Sequence, residues 1–210
     1  MSTPREPIAS ARRAPREWPS PDRVRDLLEE SARVQRALAA SAAEPIARAA
    51  RLLAEAFAAG RKALLFGNGG SAADAQHIAA EWSGRLARER APLPALALAG
   101  NPAELTALAN DYGFERVFAR LVEAHGRPGD VAIAISTSGR SANVLAAVET
   151  ARAGGLRTIG LTGRGGAPLA ERVEVALRVP SDDTQRIQEA HLAIGHVLAA
   201  LVDDALFPSA

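Results

Sequence analysis

The stretch ALLFGNGGS, residues 63–71, joins a short apolar run to a glycine-rich turn. A second stretch of the same form, VAIAISTSGRS at 131–141, joins an apolar run to a hydroxyl-rich turn. Both turns are followed by a helix-like pattern. A strand that ends at such a turn leaves free backbone N–H groups at the start of the next helix, and hydroxyl groups make that place suitable for a phosphate. Two such turns predict an enzyme that handles a phosphorylated small molecule.

The alternation of apolar runs and helix-like stretches continues toward the end of the chain. Several runs lack an inward–outward alternation, which is typical of strands buried on both faces of a parallel sheet. We therefore predict an α/β fold, a three-layer αβα sandwich with a five-stranded parallel sheet, and a ligand site at the carboxyl ends of the strands. The predicted strands are residues 62–66, 94–98, 131–135, 156–161 and 174–179. The predicted helices are residues 71–86, 103–109, 114–124, 141–153, 166–171 and 183–205.

The region before this alternation divides into an arm and two helices. Residues 1–21 are rich in arginine, proline and serine without a repeating apolar pattern, which predicts a flexible arm. An interaction tail and an organellar transit peptide are the alternatives. Apolar residues recur at helical spacing over 22–40 and over 43–59, where Gly60 is placed to end the second helix. We expect residues 22–210 to form one domain that includes this helical pair.

Composition and charge restrict the classes of function. The chain has 210 residues, of which 48% are hydrophobic and 23% charged, as in an ordinary soluble domain. A net charge of +1 argues against a nucleic-acid partner. The absence of cysteine excludes disulfides, thiolate catalysis and cysteine-based zinc sites. Because no apolar segment approaches the roughly 20 residues that span a bilayer, we expect no membrane partner and a cytoplasmic location.

Polar residues at helical spacing are candidates for chemistry. His77 and Glu81 are four residues apart, so one helical face presents both, although a solvated pair has the same spacing. Gln188 and His196 are eight residues apart and can share one broad face, although His196 also fits a buried core histidine. Arg85 could pair with a phosphate or a carboxylate.

Several stretches match one family in their order along the chain. They include a polar turn at 110–114, whose Asn, Asp and Gly are ordinary turn formers by themselves. On these stretches, which fall within about residues 24–205, the chain resembles the SIS-domain proteins and, among them, the bacterial phosphoheptose isomerases, whose fold is flavodoxin-like. The matching stretches are GNGGS at 67–71, AQHIAAE at 75–81, SGR at 83–85, NDYGF at 110–114, STSGRSAN at 136–143, LTG at 161–163 and RIQEAH at 186–191.

The resemblance implies isomerisation of D-sedoheptulose 7-phosphate to D-glycero-D-manno-heptose 7-phosphate through an enediol. It implies that Glu81 is the general base and His196 the general acid. It also implies a Zn²⁺ site, whose imidazole, carboxylate and amide ligands are acceptable to zinc. The implied zinc ligands are His77, Glu81, Gln188 and His196. The implied substrate-binding residues are Asn68, Gly69, Gly70, Ser71, Glu81, Arg85, Asn110, Asp111, Ser136, Thr137, Ser138, Ser141 and Gln188.

The resemblance further implies a homotetramer with active sites at subunit interfaces, where Glu81 and His196 can come from different chains. An alternative from another class is a non-catalytic SIS-domain protein that binds the replication initiator DnaA. The tail LFP at 206–208 fits that protein, but the DnaA-binding protein lacks the residues corresponding to Glu81 and His196. A sugar-phosphate sensor, or an isomerase of another ketose phosphate, is a third reading. Arg140 stands where many relatives have asparagine, which could alter contacts on the phosphate side.

Overall fold

The computed structural model describes residue 18 and residues 20–208. Of the predicted arm, residues 1–17 and 19 lie outside the described residues, and Ser20 already caps the first helix. Among the helices of the described residues, none is long and apolar enough to cross a membrane. In chain order the elements are α1 Pro21–Ala58, β1 Ala63–Gly67, α2 Gly70–Ser83, β2 Ala95–Ala97, α3 Pro102–Tyr112, a 3-10 turn Phe114–Arg116, α4 Val117–His125, β3 Val131–Ile135, α5 Ala142–Ala153, β4 Arg157–Thr162, α6 Ala167–Ala170, β5 Val175–Arg178 and α7 Thr184–Leu206.

The five strands form one parallel sheet in the order β2-β1-β3-β4-β5. Every residue of β1 and β3 is buried, which explains their uninterrupted apolar sequences. The order matches the doubly wound, flavodoxin-like arrangement, in which the strand order reverses between β1 and β3. The predicted α/β sandwich is therefore confirmed. Because Gly67 pairs with Ile135 at the ends of these two strands, the glycine-rich and hydroxyl-rich turns leave the sheet side by side.

Two hydrophobic layers cover the sheet. One packs α1, α2 and α7 against a face that includes Leu65 and Ile133. The other packs α4 and α5 against the opposite face, where Leu64 and Phe66 point. Successive strand residues therefore enter different layers, as the two-residue repeat of a strand requires.

The predicted pair of N-terminal helices is wrong, because residues 21–58 form one helix of 38 residues. Pro45 lies inside it and lacks the N–H that would bond to the carbonyl four residues earlier. The helix continues because Val34, Leu38, Ala42 and Ile46 form an unbroken buried stripe past this point. Packing of that stripe offsets the missing hydrogen bond.

Candidate active site

Helices α2 and α7 lie side by side and approach closely at two glycines. A Cβ added to Gly195 of α7 would lie 2.4 Å from Cγ1 of Ile78 on α2. A Cβ added to Gly70, the first residue of α2, would lie 2.3 Å from Nε2 of Gln188. Both distances are far below ordinary van der Waals contact. Glycine at these two positions therefore allows the two helices that carry the candidate residues to pack together.

A cluster of two histidines and one carboxylate lies across this helix pair. Nε2 of His77 is 3.0 Å from Nε2 of His196 and 3.1 Å from Oε1 of Glu81. One ligand atom from each residue falls within a group whose members lie within 4.8 Å of one another. The side chain of His77 is 47% exposed and that of Glu81 18% exposed. We call these three residues the His–Glu–His cluster.

The cluster forms within a single chain. The sequence allowed Glu81 and His196 of one site to come from different subunits, but here α2 and α7 of one protomer bring them together. The i, i+4 spacing places His77 above Glu81 on one face of α2, and His196 completes the group from the neighbouring helix.

The donor set of the cluster fits a divalent metal ion. Two imidazoles and one carboxylate are the three protein ligands of several catalytic zinc sites. The facing Nε2 atoms of His77 and His196 can both direct lone pairs at one cation. The fourth predicted ligand, Gln188, lies against Gly70 at the start of α2, about two helical turns before His77.

Asp74 lies one turn before His77 on α2. Burial raises the pKa of this carboxyl from 3.8 to about 6, and the charge of His77 acts in the opposite direction. Its Oδ2 atom is buried and has no hydrogen-bond partner within the described residues. The carboxyl is therefore an imperfectly solvated group beside the cluster, and the sequence analysis did not single it out.

The hydroxyl-rich turn after β3 is tightly folded. Ser136 Oγ lies 3.2 Å from Ser141 Oγ and accepts a hydrogen bond from the backbone N–H of Gly139 at 3.1 Å. Ser138 Oγ accepts one from the N–H of Arg140 at 3.3 Å. Ser141 precedes α5 but makes no side-chain bond to its first N–H groups. Hydroxyls and unpaired N–H groups are thus gathered at a helix start, as a phosphate site requires.

A cavity of about 210 Å³ opens beside this turn. Thr137, Ser138 and Arg140 contribute from the turn itself. The β4–α6 and β5–α7 connections contribute residues that the sequence analysis missed. They could have been sought by the rule that ligand residues follow the carboxyl ends of parallel strands. The complete lining is Thr137, Ser138, Arg140, Gly163, Gly165, Ser181, Asp182, Thr184 and Ile187.

The SIS domain family model matches residues 27–163. The chain belongs to the SIS-domain family. Within that family it groups with the phosphoheptose isomerases. The phosphoheptose isomerase of Rhodospirillum rubrum is 57% identical over 164 residues, which are 78% of this chain and 87% of that protein.

Solved structures of phosphoheptose isomerases have the same fold as this chain. The phosphoheptose isomerase GmhA from Neisseria gonorrhoeae is 42% identical, with a TM-score of 0.82 over 87% of this chain and 98% of that chain. A phosphoheptose isomerase from Francisella tularensis is 38% identical, with a TM-score of 0.85 over 89% of this chain and 100% of that chain. The likeness therefore extends over nearly the whole length of both structures.

The glycine-rich turn of this SIS domain connects to the start of α5 through two asparagines. Asn68 Nδ2 donates to Asn143 Oδ1, and Asn143 Nδ2 donates to Asn68 Oδ1, both at 2.9 Å. Gly69 adopts φ +57° and precedes the first residue of α2, and the Ser71 side chain is buried. Asn68 is thus held in one orientation by Asn143, a residue outside the predicted site.

Among the predicted substrate-binding residues, only Thr137 and Ser138 line this cavity in the described part of the chain. Asn110 and Asp111 bond to each other at 2.8 Å in the last turn of α3, so the predicted turn at 110–114 is in part helix. Arg85 is exposed and pairs with Glu89 at 3.5 Å. In one protomer these side chains face solvent, and their contact with substrate stays a prediction.

Proposed function

We propose that this protein is an aldose–ketose isomerase that converts D-sedoheptulose 7-phosphate to D-glycero-D-manno-heptose 7-phosphate. The observation that supports it is the convergence of Glu81 and His196, an acid–base pair, within one cluster. Its membership among the phosphoheptose isomerases supports the same reaction. The isomerisation moves one proton between C1 and C2 and one between the two oxygens.

Glu81 is proposed as the base. Its carboxylate takes the proton from C1 of the ketose and returns it to C2 after the cis-enediol has formed. His196 is proposed to give a proton to the carbonyl oxygen at C2 and to recover one from the hydroxyl at C1. Each of these positioned groups is worth about 10²–10⁴-fold in rate.

The phosphate is proposed to bind at the hydroxyl-rich turn, through the hydroxyls of Ser136, Thr137, Ser138 and Ser141. Ile187 of the adjacent cavity and His196 lie nine residues apart on α7, about 13 Å along the helix axis. An extended open-chain sugar phosphate has its reacting carbons at the end opposite the phosphate. Phosphate binding can therefore orient the substrate without taking part in the chemistry.

We further propose that the cluster holds Zn²⁺, with His77, Glu81 and His196 as ligands and Gln188 as the fourth. Such an ion would supply polarisation of the substrate carbonyl. The cluster's donor atoms support a divalent metal, and zinc is our choice because histidine and carboxylate suit it.

A homotetramer is the assembly we propose, in the cytoplasm. An apolar groove of about 360 Å³ runs between α1 and α7, with Leu38, Ile46 and Ile194 among its lining residues. Val197 and Leu201 line the same groove and are 44% and 38% exposed. Light scattering coupled to size exclusion should give about four times the chain mass of 21.9 kDa. A monomer would exclude this assembly.

The experiment that tests the reaction uses purified protein and sedoheptulose 7-phosphate, with product formation followed by NMR. Glu81→Gln and His196→Ala should each lower kcat by at least about 10²-fold. Glu171→Gln and His125→Ala, which change residues of the same types outside the cluster, are the controls and should retain turnover. Near wild-type kcat in both cluster variants would contradict the assignment. The alternative DnaA-binding role gains no support from the relatives that match or from the cluster.

A further inference from the structure

Arg90 lies in the connection between α2 and β2, and its side chain is only 1% exposed. Its Nε donates to Oδ1 of Asp203 on α7 at 2.7 Å, and the Asp203 side chain is 4% exposed. The remaining guanidinium nitrogens donate to backbone carbonyls. The acceptors are Glu81 at 2.8 Å, Trp82 at 2.9 Å, Gly84 at 3.1 Å and Ala91 at 3.1 Å.

The end of α2 explains why an arginine is needed there. The last carbonyls of a helix have no partner within the helix, and a positive charge near them is favourable. The last turn of α2 contains no basic residue of its own. Arg90 returns from the following loop and provides several donors in one planar group, which a lysine could not do. Asp203 then neutralises a charge that would otherwise be buried alone.

This ion pair joins the two helices that carry the His–Glu–His cluster. The carbonyl of Glu81 itself accepts from Arg90, and Asp203 follows His196 by seven residues, about two turns of α7. Near its middle the same helix pair is fixed by the contact of Ile78 with Gly195. The ion pair between Arg90 and Asp203 holds the other end of the helix pair together and limits how α2 can slide or tilt against α7.

We propose that Arg90 and Asp203 are positioning residues for the isomerase reaction, which set Glu81 and His196 at their working separation. The inference depends on the proposed function only for its kinetic readout. An ion pair that merely stabilises the fold would lower stability when broken without a selective effect on turnover.

A second ion pair with a buried carboxylate provides a control. Lys62 Nζ lies 2.6 Å from Oδ2 of Asp130, whose side chain is 2% exposed. Asp130 also accepts from the backbone N–H groups of Lys62 at 3.0 Å and Arg127 at 2.8 Å. This pair joins the starts of β1 and β3, at the amino ends of the strands, whereas the two ligand turns lie at their carboxyl ends. Asp203→Asn and Asp130→Asn therefore remove the same charge from similarly buried carboxylates, near the cluster and far from it.

The test compares the two variants in the full-length protein by urea unfolding and by steady-state kinetics. Asp203→Asn should lower kcat by about tenfold to 10²-fold, since a misplacement of about 1 Å can cost 10²-fold. Asp130→Asn should be destabilised as well, yet keep kcat within about twofold because the site geometry is unchanged. Asp203→Glu, which retains the carboxylate, should recover most of the lost kcat. Should Asp203→Asn not fold, Arg90→Lys takes its place.

Histidine NMR gives a readout that does not depend on turnover. The chain has four histidines, so side-chain signals of protein labelled with ¹⁵N-histidine can be assigned by substitution. The signals of His77 and His196 should shift in Asp203→Asn and stay in place in Asp130→Asn. Equal kinetic losses in the two variants, or unchanged histidine signals in Asp203→Asn, would overturn the inference. A wild-type protein without isomerase activity would instead refute the proposed function, and the NMR comparison would still decide the positioning role.

Discussion

The imidazole of His191 should make the stability of this protein dependent on pH. His191 lies on α7, its side chain is fully buried, and burial lowers its pKa from 6.5 to about 4. The backbone of Thr162 acts in the opposite direction, although neither ring nitrogen completes a hydrogen bond within the described residues. The unfolded chain therefore binds a proton at a pH where the folded protein does not.

The sign and size of the effect follow from this difference. As pH falls below 6.5, the unfolded state gains a proton on His191 and the folded state does not, so the free energy of unfolding decreases. The loss is complete once the pH is below about 4. Since each pH unit is worth about 1.4 kcal/mol, the contribution of His191 is about 2 kcal/mol at pH 5 and about 3 kcal/mol at pH 4.

His191→Leu isolates this contribution, because leucine does not titrate and leaves no hydrogen-bond partner unpaired. Urea unfolding of both proteins at pH 7 and pH 5, at one protein concentration, gives for each protein the change in unfolding free energy between the two pH values. The wild type should lose about 2 kcal/mol more than the variant over this interval. Asp74, whose pKa is raised in the folded protein, makes the fold more stable as pH falls, which is opposite to the effect of His191. Both proteins retain Asp74, so its contribution cancels in the comparison. Parallel pH dependence in the two proteins would refute the reasoning.

Three further perturbations test the site. Gly195→Ala should lower the free energy of unfolding measured by urea titration by about 1–3 kcal/mol, because its Cβ would overlap Ile78. Alanine is normally the better helix former, so a more stable variant would contradict the packing. Arg140→Met should raise KM about tenfold at nearly constant kcat, because a cation that lines the cavity would bind the phosphate equally in the ground state and the transition state. An unchanged KM would exclude contact between Arg140 and the phosphate. Exhaustive chelation should abolish most turnover and Zn²⁺ should restore it, whereas full activity of protein shown metal-free by elemental analysis would remove zinc.

The strands and most helices could be predicted from sequence because each signal is local. A strand buried on both faces is apolar throughout, and the turns at 67–71 and 136–141 mark where strands end. The N-terminal helix shows the limit of such signals. Pro45 and the small residues around it resemble a break, but the buried stripe through Ala42 depends on α7, which lies far away in sequence.

The site divides in the same way. Residues close in sequence, such as His77 and Glu81, could be paired from helical spacing alone. His196 joins them only through the packing of α2 against α7, and no local pattern indicates that contact. Asn143 and Arg90 were missed for the same reason, since their partners Asn68 and Asp203 lie 75 and 113 residues away along the chain.

Helix α7 connects the two halves of the proposed reaction. Its first turns line the cavity beside the hydroxyl-rich turn, and His196 lies further along the same rigid element. Because the rise of a helix is fixed, the distance from the phosphate end to the acid–base pair cannot change without moving the whole helix. The contacts of α7 at Gly195 and Asp203 therefore fix its position relative to α2 and, with it, the separation between the proposed phosphate site and Glu81. The packing of α2 against α7 therefore contributes to the geometry of the proposed site as much as any single polar contact does.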